Sequence, residues 1–314
     1  MAPPLVETLD FHTDTAGLQR ERFEVLRRQA VEALEETRYA ESRELFGKAL
    51  EVARQLQDQV LEDRAFCGHT AMALALGEGE DQVGPLRETL MRSGDDETCF
   101  LASYILATQV FDSEQDYRKS LFYARVARTH AERLDRKDWL ASCHNQIANA
   151  LLATSFFEDA REEYETAFEL VPEDAEFERA LILDSLGYCR LVQGRHAEGF
   201  GMIFKSLRTL RRLDLPRFEA LPRISLAYGY VDIGRYRPAL KHGFKALQLA
   251  EAAGDRDTTK QALYMLGEAA KMAGASHAAY RFYTRLQTEF YPGDNSLAEL
   301  LLTVDTRNLI NLRA

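Results

Sequence analysis

The chain has 314 residues, with 50 acidic and 39 basic side chains and a formal net charge of −11. Its 18 glycines and 8 prolines are too few turn-forming residues for a many-stranded sandwich or barrel. With 46% hydrophobic and 28% charged residues the chain is globular rather than disordered, and its net negative charge argues against nucleic acid as the main ligand.

Residues 1–19 are predicted to form a flexible N-terminal tail. This stretch has no basic region followed by an apolar run, so it is not a signal peptide, and no window of the chain approaches 18 uncharged apolar residues. The four cysteines have no CxxC spacing, which predicts reduced and mostly buried thiols and no metal site. They are Cys67, Cys99, Cys143 and Cys189. We therefore expect a cytoplasmic protein without a membrane partner.

Short turns that end in an aromatic residue or a histidine recur along the chain. We call the last residue of each turn the anchor. The anchors are Tyr39, Tyr117, Phe157, His196 and Tyr236, with weaker matches at Gln82 and Ser276. From Tyr117 onward they are spaced about 40 residues apart, a period typical of helical repeats. The spacing predicts seven helix pairs over residues 20–293.

Positions that were not used to find the period support it. Nine residues before the anchors lie Ala30, Ala73, Thr108, Ala148, Gly187, Ala227 and Gly267. Three residues after them lie Ser42, Pro85, Ser120, Ala160, Gly199, Ala239 and Ala279. All of these residues are small or compact, as two antiparallel helices require where their backbones approach closely.

This pattern resembles the tetratricopeptide repeat. The resemblance is carried by the small-residue pairs, by the dipeptides Leu186-Gly187, Leu226-Ala227 and Leu266-Gly267, and by Pro172 at the end of a second helix. The period is longer than the common one of about 34 residues and is similar to that of bacterial peptide-sensing regulators, some activator sensor domains and kinesin light chain. The resemblance implies an all-α, right-handed solenoid whose first helices line a concave surface.

Two stretches depart from the repeat. Glycines and Pro85 crowd the turn of the second repeat, so we predict a short second helix and a bend within residues 60–97. Residues 294–314 contain no repeat, but Ser296 and Glu299 match a capping box before apolar residues at helical spacing. This stretch is predicted to be a capping helix for the seventh repeat. The alternative is a dimerisation helix, with Leu302, Leu309, Ile310 and Leu312 widening its apolar surface.

No catalytic constellation is found in the sequence. The seven histidines form no HExxH motif, and the glycines form no phosphate-binding loop. Cys143 and His144 are adjacent on a predicted helix, so their side chains do not face each other. We therefore predict a protein that is not an enzyme and that needs no cofactor or metal.

Residues twelve and eight positions before each anchor face the groove in the resembled family. The candidates for a peptide or partner site are Gln109, Asn145, Asn149, Asp184, Tyr188, Tyr228, Tyr264 and Glu268. Amide groups donate and accept hydrogen bonds and suit the main chain of an extended peptide, while tyrosines add a flat apolar area with a polar tip. Alternatively, these residues are only the polar face of a solenoid, with Tyr188 or Tyr228 packed against the next helix.

Charge is distributed unevenly along the chain. Residues 1–180 carry a net charge of −17 and residues 181–314 a net charge of +6. A basic outer patch is predicted on one second helix, from Lys205, Arg208, Arg211 and Arg212. It is either a solvated helix face, a contact with an acidic partner, or a head-to-tail contact with the acidic half of another copy. Nucleic-acid contact is the least favoured alternative.

Two functions are consistent with these features. The first is a non-enzymatic scaffold or adaptor that binds a partner's segment in its groove. The second is a peptide-responsive regulator that acts through a partner protein, since only about 20 residues precede the first repeat. A protein or peptide partner is expected in both cases. A homo-oligomer would form through the C-terminal helix or through the acidic and basic halves.

Overall fold

A computed structural model describes residues 15–305 and 310–313, and within them the chain is helical, without a strand. The helices are α1 (Thr15–Glu35), α2 (Tyr39–Leu56), α3 (Gln59–Ala75), α4 (Val83–Arg92), α5 (Asp96–Gln109), α6 (Tyr117–Arg133), α7 (Lys137–Ala153), α8 (Phe157–Leu170), α9 (Glu176–Val192), α10 (His196–Arg212), α11 (Ala220–Asp232), α12 (Tyr236–Ala253), α13 (Arg256–Met272), α14 (Ser276–Phe290) and α15 (Leu297–Thr303). Residues 1–14 of the predicted tail lie outside the described residues. Residues 15–19, also assigned to that tail, belong to α1.

The anchors mark the starts of the second helices. Six of them are the first residue of α2, α6, α8, α10, α12 or α14, and α4 begins at Val83, one residue after the degenerate anchor Gln82. Seven helix pairs followed by α15 are therefore confirmed. None of the described helices has the length and apolar character of a membrane span.

A left-handed residue two positions before the anchor ends most of the first helices. These residues are Thr37, Gln115, Ser155, Gly194, Gly234 and Gly274, with φ between 51° and 76°. In the turn before α10, the N–H of Arg195 donates to the carbonyl of Arg190 at 2.8 Å, the hydrogen bond of a Schellman motif. Because this motif reverses the chain within a few residues, each pair forms an antiparallel hairpin.

The small residues lie where paired helices touch. A Cβ atom on Gly187 would lie 2.9 Å from the carbonyl oxygen of Gly199, and one on Gly199 would lie 2.7 Å from that of Gly187. In the first pair, Ser42 donates from its hydroxyl to the carbonyl of Ala30 at 2.7 Å. Pro85 is the exception because it is exposed. It lies in α4, which has only ten residues, as the glycine-rich turn predicted.

The chain divides into two compact units, with the boundary between Asp135 and Arg136. Unit 1 contains the first three helix pairs, and its core includes Phe23 and Val52 in one cluster and Leu86 and Leu106 in another. Unit 2 contains the last four pairs and α15, with a core cluster of Leu191, Ile203, Leu207 and Leu226. The four cysteines are free and buried, as predicted for the thiols.

Helix α15 caps the last pair but is shorter than predicted. Its buried residues Ala298 and Leu301 pack against α14, and the N–H of Ala298 donates to Gln287 Oε1 at 2.9 Å. The predicted capping box is wrong, since Ser296 makes no side-chain cap and its hydroxyl donates instead to Asp294 Oδ1 at 2.8 Å.

The predicted extension of the apolar surface of α15 is only partly described. Leu309 lies outside the described residues. Ile310 and Leu312 follow the helix and are not part of it, so the helical surface does not extend to them. Leu312 is buried elsewhere in unit 2. Dimerisation through this helix stays a prediction.

Candidate binding face

Four first helices of unit 2 carry most of the predicted groove residues. We call the side of unit 2 formed by α7, α9, α11 and α13 the first-helix face. Its predicted members are Asn145, Asn149, Asp184, Tyr188, Tyr228, Tyr264 and Glu268. Gln109 belongs to unit 1, at the end of α5, where its amide donates to Ser113 Oγ at 2.9 Å.

The two asparagines of α7 differ in their surroundings. Asn149 accepts a hydrogen bond of 2.5 Å at its Oδ1 from the hydroxyl of Tyr164, which is fully buried in α8. Its amide oxygen therefore links the two helices of the fourth pair. Asn145, one turn earlier, is half-buried on the same face. Of the two amides, Asn145 is the one more available to a ligand.

The tyrosines of α9 and α11 form a pair. The ring centroids of Tyr188 and Tyr228 are 5.3 Å apart with an interplanar angle of 55°. Burial, followed by the neighbouring Tyr228, raises the pKa of Tyr188 well above its ordinary value. Burial and then the charge of Asp232 raise the pKa of Tyr228 to about 12. Tyr188 is buried, whereas Tyr228 is still half-exposed, and a binding role for either stays a prediction.

Glu268 is a buried carboxylate with protein partners. Its Oε1 accepts hydrogen bonds of 2.5 Å from the hydroxyl of Tyr283 and from Lys271 Nζ. The same ammonium group donates to the carbonyls of Leu301 and Val304, at the end of α15. Burial and then the hydrogen bond with Glu268 raise the pKa of Tyr283 far above its ordinary value. Glu268 therefore holds α13, α14 and the capping helix together.

A stretch of the chain itself lies on the first-helix face. We call residues 310–313 the distal segment. Arg313 Nη2 donates to Asp184 Oδ2 at 2.8 Å and to Ser225 Oγ at 2.7 Å. Ile310 and Leu312 line a pocket whose other walls are Tyr228, Val231, Asp232, Tyr264, Met265 and Glu268. Ser225 was not predicted as a site residue because it does not occupy a repeat position that faces the groove. Ile310 and Leu312 were predicted only as part of a C-terminal helix, since the segment lies outside the repeats.

The histidines that could suggest catalysis have structural partners. His144 Nδ1 lies 2.5 Å from Glu163 Oε2 on α8, while its neighbour Cys143 is buried. His196 Nε2 lies 2.6 Å from Asp232 Oδ2. Among the described residues, no group of three or more His, Cys, Asp or Glu side chains is arranged to hold a metal ion.

The predicted basic outer patch lies on α10, and its four members are exposed. Arg211 pairs with Glu219 at 3.1 Å and Arg212 with Glu176 at 2.7 Å. For Lys205 and Arg208, the part of the chain that the structure describes supplies no carboxylate within 4.0 Å. Two of the four charges are therefore largely compensated within unit 2, and a role for the patch in association stays a prediction.

Comparisons with known proteins identify the fold. A Rap protein solved in complex with competence and sporulation factor is similar at a TM-score of 0.70 and 12% identity, with 85% of this chain and 76% of that chain covered. A STAND protein with a tetratricopeptide repeat sensor from Pyrococcus horikoshii is similar at a TM-score of 0.61 and 15% identity, with 89% of this chain and 46% of that chain covered. The chain has the tetratricopeptide-repeat fold.

A third solved structure with this fold carries an enzyme name. Aspartyl phosphate phosphatase F from Bacillus subtilis is similar at a TM-score of 0.54 and 14% identity, with 97% of this chain and 87% of that chain covered. No family model and no curated protein matches the chain. At these identities the comparisons show the fold alone, so the function must be argued from the first-helix face.

Proposed function

We propose that the chain is a non-enzymatic scaffold or adaptor that binds a segment of a partner protein, or a peptide, on the first-helix face. One observation carries the proposal: a non-helical stretch of polypeptide, the distal segment, lies on this face and hydrogen-bonds to three of its four helices or the turns that follow them. A surface that accommodates one irregular segment has the shape and the donors and acceptors to accommodate another.

The chemistry of the face supports this proposal. The half-buried Tyr228 offers an apolar ring with a polar tip, a side chain enriched in binding surfaces, and the buried Tyr264 lines the pocket beside it. The buried carboxylate of Asp184 supplies a fixed negative charge, and Asn145 supplies a half-buried amide. Together they suit a peptide with both apolar and cationic side chains.

The test is affinity purification of partners from native lysate with the full chain. We expect the double variant Asn145→Ala with Tyr228→Ala to lose partners that the wild type captures, because both side chains are half-buried and their removal leaves the core intact. The control is Glu169→Ala with Gln248→Ala, at exposed positions of the second helices α8 and α12, which should capture the same partners as the wild type. If the face variant keeps its helical circular dichroism and the same partners, the proposal is wrong.

A second candidate is a peptide-responsive regulator. It is favoured by the similarity, at a TM-score of 0.70, to a Rap protein solved with competence and sporulation factor. A regulator would bind its partner protein differently in the presence and absence of a peptide. Partner capture that is unchanged by any peptide bound at the face would leave the scaffold as the better account.

A further inference from the structure

The distal segment contacts the first-helix face as a bound ligand would. Asn311 Nδ2 donates to the carbonyls of Leu152 at 2.6 Å and Ala153 at 3.3 Å, and to Ser155 Oγ at 3.2 Å. These carbonyls belong to the last turn of α7, where backbone oxygens lack partners within the helix and carry partial negative charge. The carbonyl of Leu152 also accepts from the N–H of Ser155 at 3.0 Å, so the amide N–H₂ group of Asn311 adds a second donor to it.

The second contact is the guanidinium of Arg313. It donates to Asp184 on α9 and to Ser225 on α11, and its Cζ lies 5.1 Å from the centroid of the Tyr188 ring. Asp184 is 3% exposed and Ser225 1% exposed, so this is a desolvated ion pair and not a surface one. The other carboxylate oxygen, Asp184 Oδ1, has no hydrogen-bond partner among the described residues.

The buried carboxylate of Asp184 requires a cation beside it. A buried carboxylate without a counter-charge is costly, and the penalty is removed when a cation pairs with it or when water reaches it. The cation in this structure comes from a residue 129 positions further along the chain. It is a separate piece of chain, as a ligand would be.

Leu312 provides the apolar contact between these two polar ones. Its side chain is 4% exposed and lines, with Ile310, the pocket formed by α11 and α13. Burial of this leucine side chain stabilises the segment on the face. The N–H of Arg313 also donates to Asn311 Oδ1 at 2.9 Å, which shapes the segment into a local turn.

We infer that the distal segment is an internal ligand of the first-helix face, which a partner must displace in order to bind. This inference deepens the proposed function and rests on it. The competing partner segment is expected to carry an amide, an aliphatic and a guanidinium side chain at successive positions, because these three groups match the carbonyl end of α7, the α11–α13 pocket and Asp184. The internal ligand weakens the binding of any competitor, because the apparent affinity equals the intrinsic affinity multiplied by the fraction of chains in which the face is free.

The experiment measures binding of a labelled synthetic peptide with the sequence of residues 305–314 to the full chain, by fluorescence anisotropy. In the release variant, Asn311→Ala with Arg313→Ala, the internal ligand is weakened and the face is intact. We expect this variant to bind the peptide at least about tenfold more tightly than the wild type, a difference of about 1.4 kcal/mol. The labelled peptide with Ala in place of its own arginine at position 313 should bind at least tenfold more weakly than the unaltered peptide.

The matched control changes the face. Asp184→Asn, introduced into the release variant, keeps the shape of the side chain and removes its charge, so peptide binding should weaken about tenfold or more. If this variant loses its helical circular dichroism, Ser225→Ala is the replacement, and it should weaken binding in the same direction. Equal peptide binding by the wild type and the release variant, or binding that does not respond to Asp184 or Ser225, would overturn the inference.

The two proposals fail in different ways. If partners are captured equally by the wild type and the release variant, and are lost in the face variant, the scaffold proposal stands and the internal ligand is wrong. If the peptide behaves as expected while the Asn145 and Tyr228 substitutions leave partner capture intact, the segment occupies the face but the partner binds elsewhere.

Discussion

The guanidinium of Arg313 and the carboxylate of Asp184 form an ion pair of 2.8 Å that is almost closed to solvent, with side-chain exposures of 9% and 4%. An ion pair in such surroundings is expensive to break from one side only, because the remaining charge is left without a partner. In unit 2, moving the non-helical distal segment off the helices breaks this pair and leaves Asp184 without a counter-charge. The pair therefore couples the occupancy of the first-helix face to the position of residues 310–313.

Asn149 is predicted to act mainly on stability, through Tyr164. Asn149→Ala removes the acceptor of a buried phenol hydroxyl and should lower the free energy of unfolding by about 1–3 kcal/mol. Adding Tyr164→Phe removes the hydroxyl and should recover part of that loss. The measurement is urea unfolding of the two single variants and the double variant. The neighbouring Asn145→Ala is the control, with a change within about 0.5 kcal/mol.

The different surroundings of Asn145 and Asn149 could not be predicted from the sequence. The 40-residue period located the helices and the first-helix face, because small residues and turns recur wherever helices pair. It could not separate an accessible amide from a packing amide, since Asn145 and Asn149 belong to the same pattern. Nor could it find the partner of Asp184, because Arg313 lies outside the repeats and 129 positions away. Contacts of that kind depend on the tertiary path of the chain.

Gly267 is predicted to be intolerant of a side chain. A Cβ atom there would lie 2.2 Å from Cε1 of Tyr283, a buried ring whose hydroxyl is held by Glu268. Gly267→Ala should therefore lower the free energy of unfolding by about 3 kcal/mol through overpacking.

Gly201 provides the matched control for that substitution. It lies within α10, is exposed, and has no atom within 4 Å of the Cβ position. Gly201→Ala should stabilise the protein by about 1 kcal/mol through helix propensity alone. The measurement is denaturant unfolding of both variants. Equal changes in the free energy of unfolding at the two glycines would contradict the close approach of α13 and α14.

Asp95 is predicted to stabilise unit 1 through its charge. Burial alone would raise the pKa of this carboxyl, but hydrogen bonds from Arg64 and from Thr98 outweigh it and lower the pKa from 3.8 to about 2. Asp95 is also the N-cap of α5, a position that Asn fills equally well. Asp95→Asn therefore removes the charge and keeps the cap, and should cost about 1 kcal/mol at pH 7 once partial solvent exposure is allowed for.

The pH dependence of that difference has a definite sign. Since the pKa is lower in the folded state, the stabilisation is complete above pH 3.8 and is lost as the pH falls towards 2. Urea unfolding at pH 7 and pH 2.5 should show wild type and Asp95→Asn converging at the lower pH. If the difference in the free energy of unfolding between the two proteins is the same at both pH values, the side chain acts through packing and not through charge.

His242 is predicted to make unit 2 sensitive to mild acid. Burial, and then the neighbouring cations Arg223, Lys241 and Arg211, lower its pKa from 6.5 to about 4. The ring stacks on Tyr230, with centroids 5.6 Å apart and an interplanar angle of 24°. Because the folded state holds this histidine neutral, stability is complete above pH 6.5 and is lost as the pH falls from 6.5 towards 4. The loss is about 2 kcal/mol once partial solvent exposure is allowed for.

His242→Phe isolates this effect, because it keeps an aromatic ring beside Tyr230 and removes the titrating group. Wild type and variant should be compared by urea unfolding at pH 7.5 and pH 4.5. We expect the wild type to lose about 2 kcal/mol more than the variant between these two values, while every other titrating group contributes equally to both proteins. This interval lies above pH 3.8, where the contribution of Asp95 begins to fall, so the two pH effects are separable. Equal losses in both proteins would show that His242 takes up its proton without cost, and therefore that water reaches the ring in the folded state.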